Sequence, residues 1–235
     1  GKPGRKVKVS DPAEGKLAVC DLADDMKSCF VTFTSALKDT IGVYNQKGVN
    51  LWQYRAEPGD IVADFVVADL DRDRKKEIIV GYSGTSGIRA LSAYGKLLWK
   101  NTELANVSSV CAGSASGGAI VLATSVNGEV SVLDARGGLA MSVKPPVYAL
   151  TVAAADLDSD GLAEVIACGT APGSTAQDAA NPRPDDIYVC VLTTEGVEKW
   201  KYMLGDDRYR YVPTMIFAAL MIAMYLAAGW VYREH

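Results

Sequence analysis

The sequence predicts an all-β fold built from four repeated antiparallel meanders, followed by one C-terminal transmembrane α-helix. Three observations carry this expectation. Short apolar runs separated by turn residues fill the chain from Lys16 to Met203. An acidic segment recurs ahead of several of those runs. From Val212 to Tyr232 stand 21 residues without a charge.

Composition bounds what such a chain does. With 235 residues, 49% of them hydrophobic, it has enough apolar material for a buried core and is not a largely disordered chain. Lys and Arg number 24 against 28 Asp and Glu, a net charge of −4, so no domain-wide basic field exists to bind nucleic acid by counterion release. Residues 1–15 form a basic N-terminal segment, with Lys2, Arg5, Lys6 and Lys8. The single histidine, His235, ends the chain, which leaves no Ser-His-Asp, Cys-His or His-based metal site to assemble. Five cysteines, Cys20, Cys29, Cys111, Cys168 and Cys190, form neither a Cys-x-x-Cys nor a Cys/His cluster, so zinc is not expected. Most lie in apolar strand-like runs, where a thiol packs as a small hydrophobe. Cys168 and Cys190, on candidate neighbouring strands, are the pair an oxidising compartment would bridge.

Internal repetition orders the elements. Asp69-Leu-Asp71-Arg-Asp73-Arg-Lys-Lys-Glu77, running into Ile-Ile-Val-Gly81, aligns with Asp156-Leu-Asp158-Ser-Asp160-Gly-Leu-Ala-Glu164, running into Val-Ile-Ala-Cys-Gly169, every carboxylate in register. A worn copy, Asp21-Leu-Ala-Asp24-Asp25, precedes Cys29-Phe-Val-Thr-Phe33. After each unit Gly and Trp recur with three residues between them, at Gly48/Trp52, Gly95/Trp99 and Gly196/Trp200; the third unit has Gly137 and Met141. Repeats of this length are those of propeller blades. Expected units run over about 16–56, 57–102, 103–145 and 146–204, with strands such as Glu77–Gly81, Ile88–Ala93 and Leu97–Lys100. A Gly/Pro/Asp-rich insertion stretches the last unit from about Thr170 to Asp186. The run Gly113-Ser-Ala-Ser-Gly117-Gly118 reads as a hairpin loop in place of the third unit's acidic loop. The segment Val7-Lys-Val-Ser10, though short, is the candidate to supply a strand to the last unit and pin the ring shut.

The pattern resembles two related propeller repeats, the calcium-loop type called FG-GAP or VCBS and the PQQ-dehydrogenase type ending in Gly-x-x-x-Trp. The resemblance implies a β-propeller-like domain over residues 16–205. It also implies that Trp52, Trp99 and Trp200 wedge between neighbouring blades.

Two loops offer candidate metal ligands. In the fourth unit Asp156, Asp158 and Asp160 alternate, Gly161 supplies a turn, and the Leu162 carbonyl and Glu164 complete an oxygen-rich set suited to one calcium ion. Asp69, Asp71, Asp73 and Glu77 repeat the spacing in the second unit, yet Arg74 replaces the glycine, and Arg72, Lys75 and Lys76 offset the acid, making it the weaker site. The alternative for both is a solvated turn whose Asp side chains accept backbone N–H bonds. No organic cofactor is expected. Residues 206–235 are expected to form a membrane anchor, its helix at 212–232 framed by Tyr209, Tyr211, Trp230 and Tyr232. Ala219, Ala223 and Ala227 recur every four residues and offer a small-residue packing face.

Together these readings describe a non-catalytic, single-pass propeller serving as an accessory, assembly or scaffold subunit of a membrane protein complex, with other membrane subunits and the lipid bilayer as partners. A calcium-stabilised cell-surface adhesion or ligand-binding module is the rival, and a quinone- or sugar-acting enzyme the third reading. Cationic residues favour the N-terminal side of the helix, which by charge bias keeps the domain cytoplasmic. Large domains translocate regardless of charge, and the resemblance to exported repeats places the propeller outside the cytoplasm.

Overall fold

The computed structural model describes residues 16–33, 39–115, 117–171, 173–174 and 187–203. These form sixteen strands in four antiparallel sheets of four, each in simple up-and-down order. Sheet 1 comprises β1 (Leu17–Cys20), β2 (Cys29–Phe33), β3 (Thr40–Tyr44) and β4 (Asn50–Arg55). Sheet 2 comprises β5 (Ile61–Ala68), β6 (Glu77–Ser83), β7 (Ile88–Leu91) and β8 (Leu97–Asn101). Sheet 3 comprises β9 (Val107–Ala115), β10 (Gly118–Ser125), β11 (Val130–Asp134) and β12 (Leu139–Val143). Sheet 4 comprises β13 (Tyr148–Ala155), β14 (Glu164–Thr170), β15 (Ile187–Leu192) and β16 (Glu198–Met203). The all-β, four-meander expectation therefore stands. The expected helix at 212–232, with Ala219, Ala223 and Ala227, lies outside the described residues, as do residues 1–15 and most of the insertion. Among the described residues no helix is long and apolar enough to cross a membrane.

Two compact units divide the chain after Asn106. In the first, Val31, Ile41 and Val43 of sheet 1 share a core with Phe65, Ile78, Val80 and Leu91 of sheet 2. In the second, Leu122, Val130 and Val132 of sheet 3 pack with Val152, Val165, Ala167 and Leu192 of sheet 4. β6 and β14 are buried along both faces, which explains why their sequences are near-continuous apolar runs rather than alternating ones.

The Gly-x-x-x-Trp motif has a backbone cause. Gly48, Gly95, Gly137 and Gly196 all sit at φ between 80° and 85°, a left-handed conformation that costs glycine little. Each closes the hairpin between the third and fourth strands by donating its N–H to the carbonyl three residues back, at Asn45, Ser92, Asp134 and Thr193. The side chains of those four residues accept two further N–H bonds apiece from the same turn. The register then slips by one residue beside the Trp position in every sheet, at Val43/Tyr44, Ala90/Leu91, Val132/Leu133 and Val191/Leu192. The Ser92 turn also stops β7 at Leu91, two residues before the expected end.

Trp52 acts as a wedge between sheets 1 and 2. Its Nε1–H donates to the Ala93 carbonyl at 2.9 Å, and a Cβ added to Gly95 would lie 2.7 Å from its ring. In the second unit Val143 replaces Trp against Gly196, while Met141 is partly buried beside it. Trp200 departs from its expected packing role, being 47% exposed, because no sheet follows β16 among the described residues. Two further expectations need correction. The strands β9 and β10 continue through most of the Gly113–Gly118 run; Gly113 is small because a Cβ there would lie 2.6 Å from that of Ala154. Cys168 and Cys190 do lie on paired strands, but Cys168 faces Val189 and Cys190 faces Ala167. That one-residue offset puts the thiols on opposite faces of the sheet, in separate clusters, where no bridge can join them.

Replacing Trp52 with Ala is expected to lower unfolding free energy by about 3 kcal/mol, whereas Trp200→Ala changes it by about 0.5 kcal/mol. Urea unfolding of the two variants checks this, and equal losses would show that Trp200 is also packed.

Candidate functional site

The two acidic loops join the first and second strands of sheets 2 and 4, and their backbones are near copies. In the second-unit loop, Leu70 N–H donates to Glu77 Oε2 at 2.8 Å, Arg74 N–H to Asp69 Oδ2 at 3.0 Å, Asp73 N–H to Asp71 at 3.1 Å and Lys75 N–H to Asp73 at 2.7 Å. In the fourth-unit loop, Leu157 N–H donates to Glu164 Oε2 at 2.7 Å, Gly161 N–H to Asp156 Oδ2 at 2.9 Å, Asp160 N–H to Asp158 at 3.3 Å and Leu162 N–H to Asp160 at 2.8 Å. The carboxylates thus fold their own turns, as short Asp side chains do. Arg74 adopts φ 69° where its counterpart Gly161 has 86°, and Arg72 matches Ser159 at 64° against 65°. Losing the glycine did not change the loop; it placed an ordinary residue in a conformation that costs about 1–3 kcal/mol.

Within each loop three carboxylates converge. Donor oxygens of Asp69, Asp71 and Glu77 lie within 4.8 Å of one another, and so do those of Asp156, Asp158 and Glu164. Asp73 and Asp160 stand outside these triplets. Glu77 and Glu164 are buried, at 5% and 3% exposure, and form the floors of the loops. The worn first-unit copy has become a short turn: Asp21 accepts the Ser28 N–H at 2.7 Å, Lys27 lies 3.6 Å from Asp21 and Asp24, and the remaining acid, Asp25, accepts a bond from Tyr94.

Charge compensation in the fourth loop differs from what spacing suggested. The fourth loop, expected to be uncompensated, holds the Lys199 ammonium 2.6 Å from both Asp158 Oδ2 and Glu164 Oε1. Lys199 belongs to β16 and follows the Gly196 turn; only sheet formation brings it across β15 to the loop. Its hydrogen bond holds the Asp158 carboxyl below the ordinary carboxylate range, and the two carboxylates hold Lys199 above the ordinary lysine value. In the second loop Lys75 pairs with Asp73 at 3.0 Å, outside the triplet, and Asp69 Oδ1 is buried without a hydrogen-bond partner. Burial, together with the charges of Asp71, Asp73 and Asp69, pushes the Glu77 carboxyl up, against the Leu70 N–H bond that lowers it.

These shifts have opposite consequences for stability. The Lys199–Asp158 pair contributes at neutral pH and is lost as pH falls through the depressed Asp158 pKa, whereas Glu77 opposes folding when ionised and is relieved as pH falls through its raised pKa. Lys199→Met is therefore expected to move the Asp158 titration midpoint upward, into the ordinary carboxylate range, and leave Glu77 unmoved. Carboxyl-carbon NMR titration reads both, and an unmoved Asp158 would show that Lys199 does not set its charge.

No curated protein matches the sequence. Among solved structures the chain is similar to the V. cholerae biofilm matrix protein Bap1, with 22% identity and a TM-score of 0.55 over 80% of this chain and 28% of that one. It is similar to streptogramin B lyase, with 16% identity and a TM-score of 0.56 over 85% and 58% of the two chains. It is also similar to BBS1N, crystallised in complex with ARL6DN, with 10% identity and a TM-score of 0.51 over 84% and 70%. The chain thus spans about a quarter of Bap1 and somewhat over half of the lyase. At these identities the likenesses show the fold alone, and one of these neighbours binds a partner protein. Residues 31–168, which take in most of sheet 1, all of sheets 2 and 3 and the first two strands of sheet 4 nearly to their end, with both acidic loops, match the lambda-carrageenase beta-propeller domain, and the chain belongs to that family.

Proposed function

We propose that the chain is a non-catalytic β-propeller that works as a binding scaffold, an accessory or assembly subunit of a membrane protein complex, with calcium stiffening its acidic loops. The observation that carries this is how the carboxylates are used. The acids of both loops order their own turns or pair with Lys199, a structural use of carboxylate that supports the scaffold reading. Attachment to a membrane rests on the 21 uncharged residues from Val212 to Tyr232, and a protein partner is in keeping with the BBS1N neighbour. The resemblance to FG-GAP and VCBS repeats supports calcium as the ion.

Of the two loops, the second is the better cation site. Asp69, Asp71 and Glu77 would hold the ion: Asp69 offers an oxygen that nothing else satisfies, and a divalent charge would relieve the repulsion that raises Glu77. The fourth loop already contains a cation in Lys199. A second reading, an adhesion or ligand-binding module for polysaccharide, is favoured by the family's carrageenase name and by the biofilm matrix neighbour; a sugar-acting enzyme rests on that family name alone.

Two measurements test this. Titration calorimetry of the intact chain in detergent is expected to find one calcium site, abolished by Asp69→Asn and unaffected by Asp156→Asn, while Lys199→Met opens a second; heat lost with Asp156→Asn instead would move the site to the fourth loop. Gentle solubilisation of the native membrane is expected to recover the chain with stoichiometric protein subunits. A chain that purifies alone and is retained on sulfated polysaccharide would replace the scaffold reading with the ligand-binding one.

A further inference from the structure

Cys20 is the last residue of β1 and Cys29 the first of β2, and the two stand directly opposite each other in the antiparallel ladder. Their side chains share the inward face of sheet 1: Cys29 is 1% exposed within the core cluster, and Cys20, beside Ala18, packs against that cluster while remaining partly exposed. Both thiols are free. Directly opposed antiparallel residues have Cβ atoms roughly 4.5–5.5 Å apart and Cα atoms roughly 4.5–5.5 Å apart. A disulfide needs Cβ atoms about 3.5–4.5 Å apart and tolerates that range of Cα separation, so an approach of about 1 Å closes the bond. The other three cysteines face residues other than cysteine across their ladders. Cys111 faces Leu122, and Cys168 and Cys190 face Val189 and Ala167.

We infer that Cys20 and Cys29 form a reversible redox staple across the base of the first hairpin. Exchange with a low-molecular-weight disulfide such as glutathione disulfide balances it. The partly exposed Cys20 thiolate attacks one glutathione sulfur, forming a mixed disulfide and releasing one glutathione. The Cys29 thiolate then attacks the Cys20 sulfur, forming the Cys20–Cys29 bond and releasing the second glutathione; the two cysteine protons end on the two released thiols. The closed loop contains the eight residues Asp21–Ser28. That loop is already tied to sheet 2 through the Lys76 N–H bond to the Leu22 carbonyl at 2.8 Å and the Tyr94 hydroxyl bond to Asp25 at 2.9 Å, so the staple would restrain the edge of the first blade and its junction with the second. Burial raises both thiols, which makes exchange slow at neutral pH and faster at alkaline pH.

The test incubates the full chain in detergent with excess glutathione disulfide at about pH 8.5, then counts alkylatable thiols under denaturing conditions and maps linked peptides by mass. The expected result is five thiols falling to three, a Cys20–Cys29 linked peptide that disappears on reduction, and a melting temperature raised by roughly 5 °C in the oxidised form. Cys20→Ser should prevent the link and leave Cys111, Cys168 and Cys190 unchanged. Two free thiols at these positions, separate glutathione adducts on each, or a covalent dimer of chains would each overturn the inference.

Discussion

A strand buried on both faces is stable only inside a stack, and β6 and β14 impose that requirement on everything around them. One four-stranded meander has two faces, and burying Ile78 and Ile79, or Val165 and Ile166, calls for apolar cover on each. Within each compact unit one of those covers is the neighbouring sheet of the pair. Close approach then decides the residue types at the junctions: Gly95 accommodates the Trp52 ring, Gly196 accommodates Val143, and Gly113 lets β9 approach Ala154. Repetition in the sequence is the trace of one packing problem solved four times.

The acidic loops follow from the same arrangement. Each connects the first, edge strand of its sheet to the first residue of a doubly buried one, and that first residue is a glutamate, Glu77 or Glu164. A carboxylate this buried must be hydrogen-bonded, and each accepts a backbone N–H from the second residue of its own loop. The floor of the loop is thereby anchored to the sheet, and the Asp residues above it order the remaining turn. The two loops then diverge through a single long-range contact, Lys199, which gives one loop a cation of its own and leaves the other with an unpaired buried oxygen.

Sheet 2 carries a second charged feature close to the sheet 1 junction. Arg89, 4% exposed, donates to the Tyr54 hydroxyl and to Ser86 at 2.9 Å and stacks over the rings of Tyr54 and Tyr82. Asp60 accepts the Thr85 and Ser86 N–H groups and the Ser86 hydroxyl. A buried guanidinium is tolerable only with such partners. No repeat motif pointed to it, since none of its members belongs to the Gly-x-x-x-Trp or acidic-loop pattern.

Local patterning by itself determined the all-β class, the four meanders and the acidic turns, because these depend on spacing: apolar runs of strand length, Asp at alternate positions, and a glycine wherever the backbone turns left-handed. It also indicated which residues would line the loops, although Asp73 and Asp160 lie outside the converging carboxylate triplets and accept backbone N–H bonds within the turns. Tertiary structure alone decided which residues meet across strands. Register placed Cys20 opposite Cys29 and set Cys168 one residue away from Cys190, a difference of one pleat that no spacing along the chain encodes. It brought Lys199 to Asp158 over 41 residues and Trp52 to Ala93 over another 41. Charge balance counted along the sequence assigns each cation to its nearest neighbours in the chain, whereas a folded sheet assigns it to whatever lies across the ladder, and that physical distinction put a cation on the loop expected to lack one.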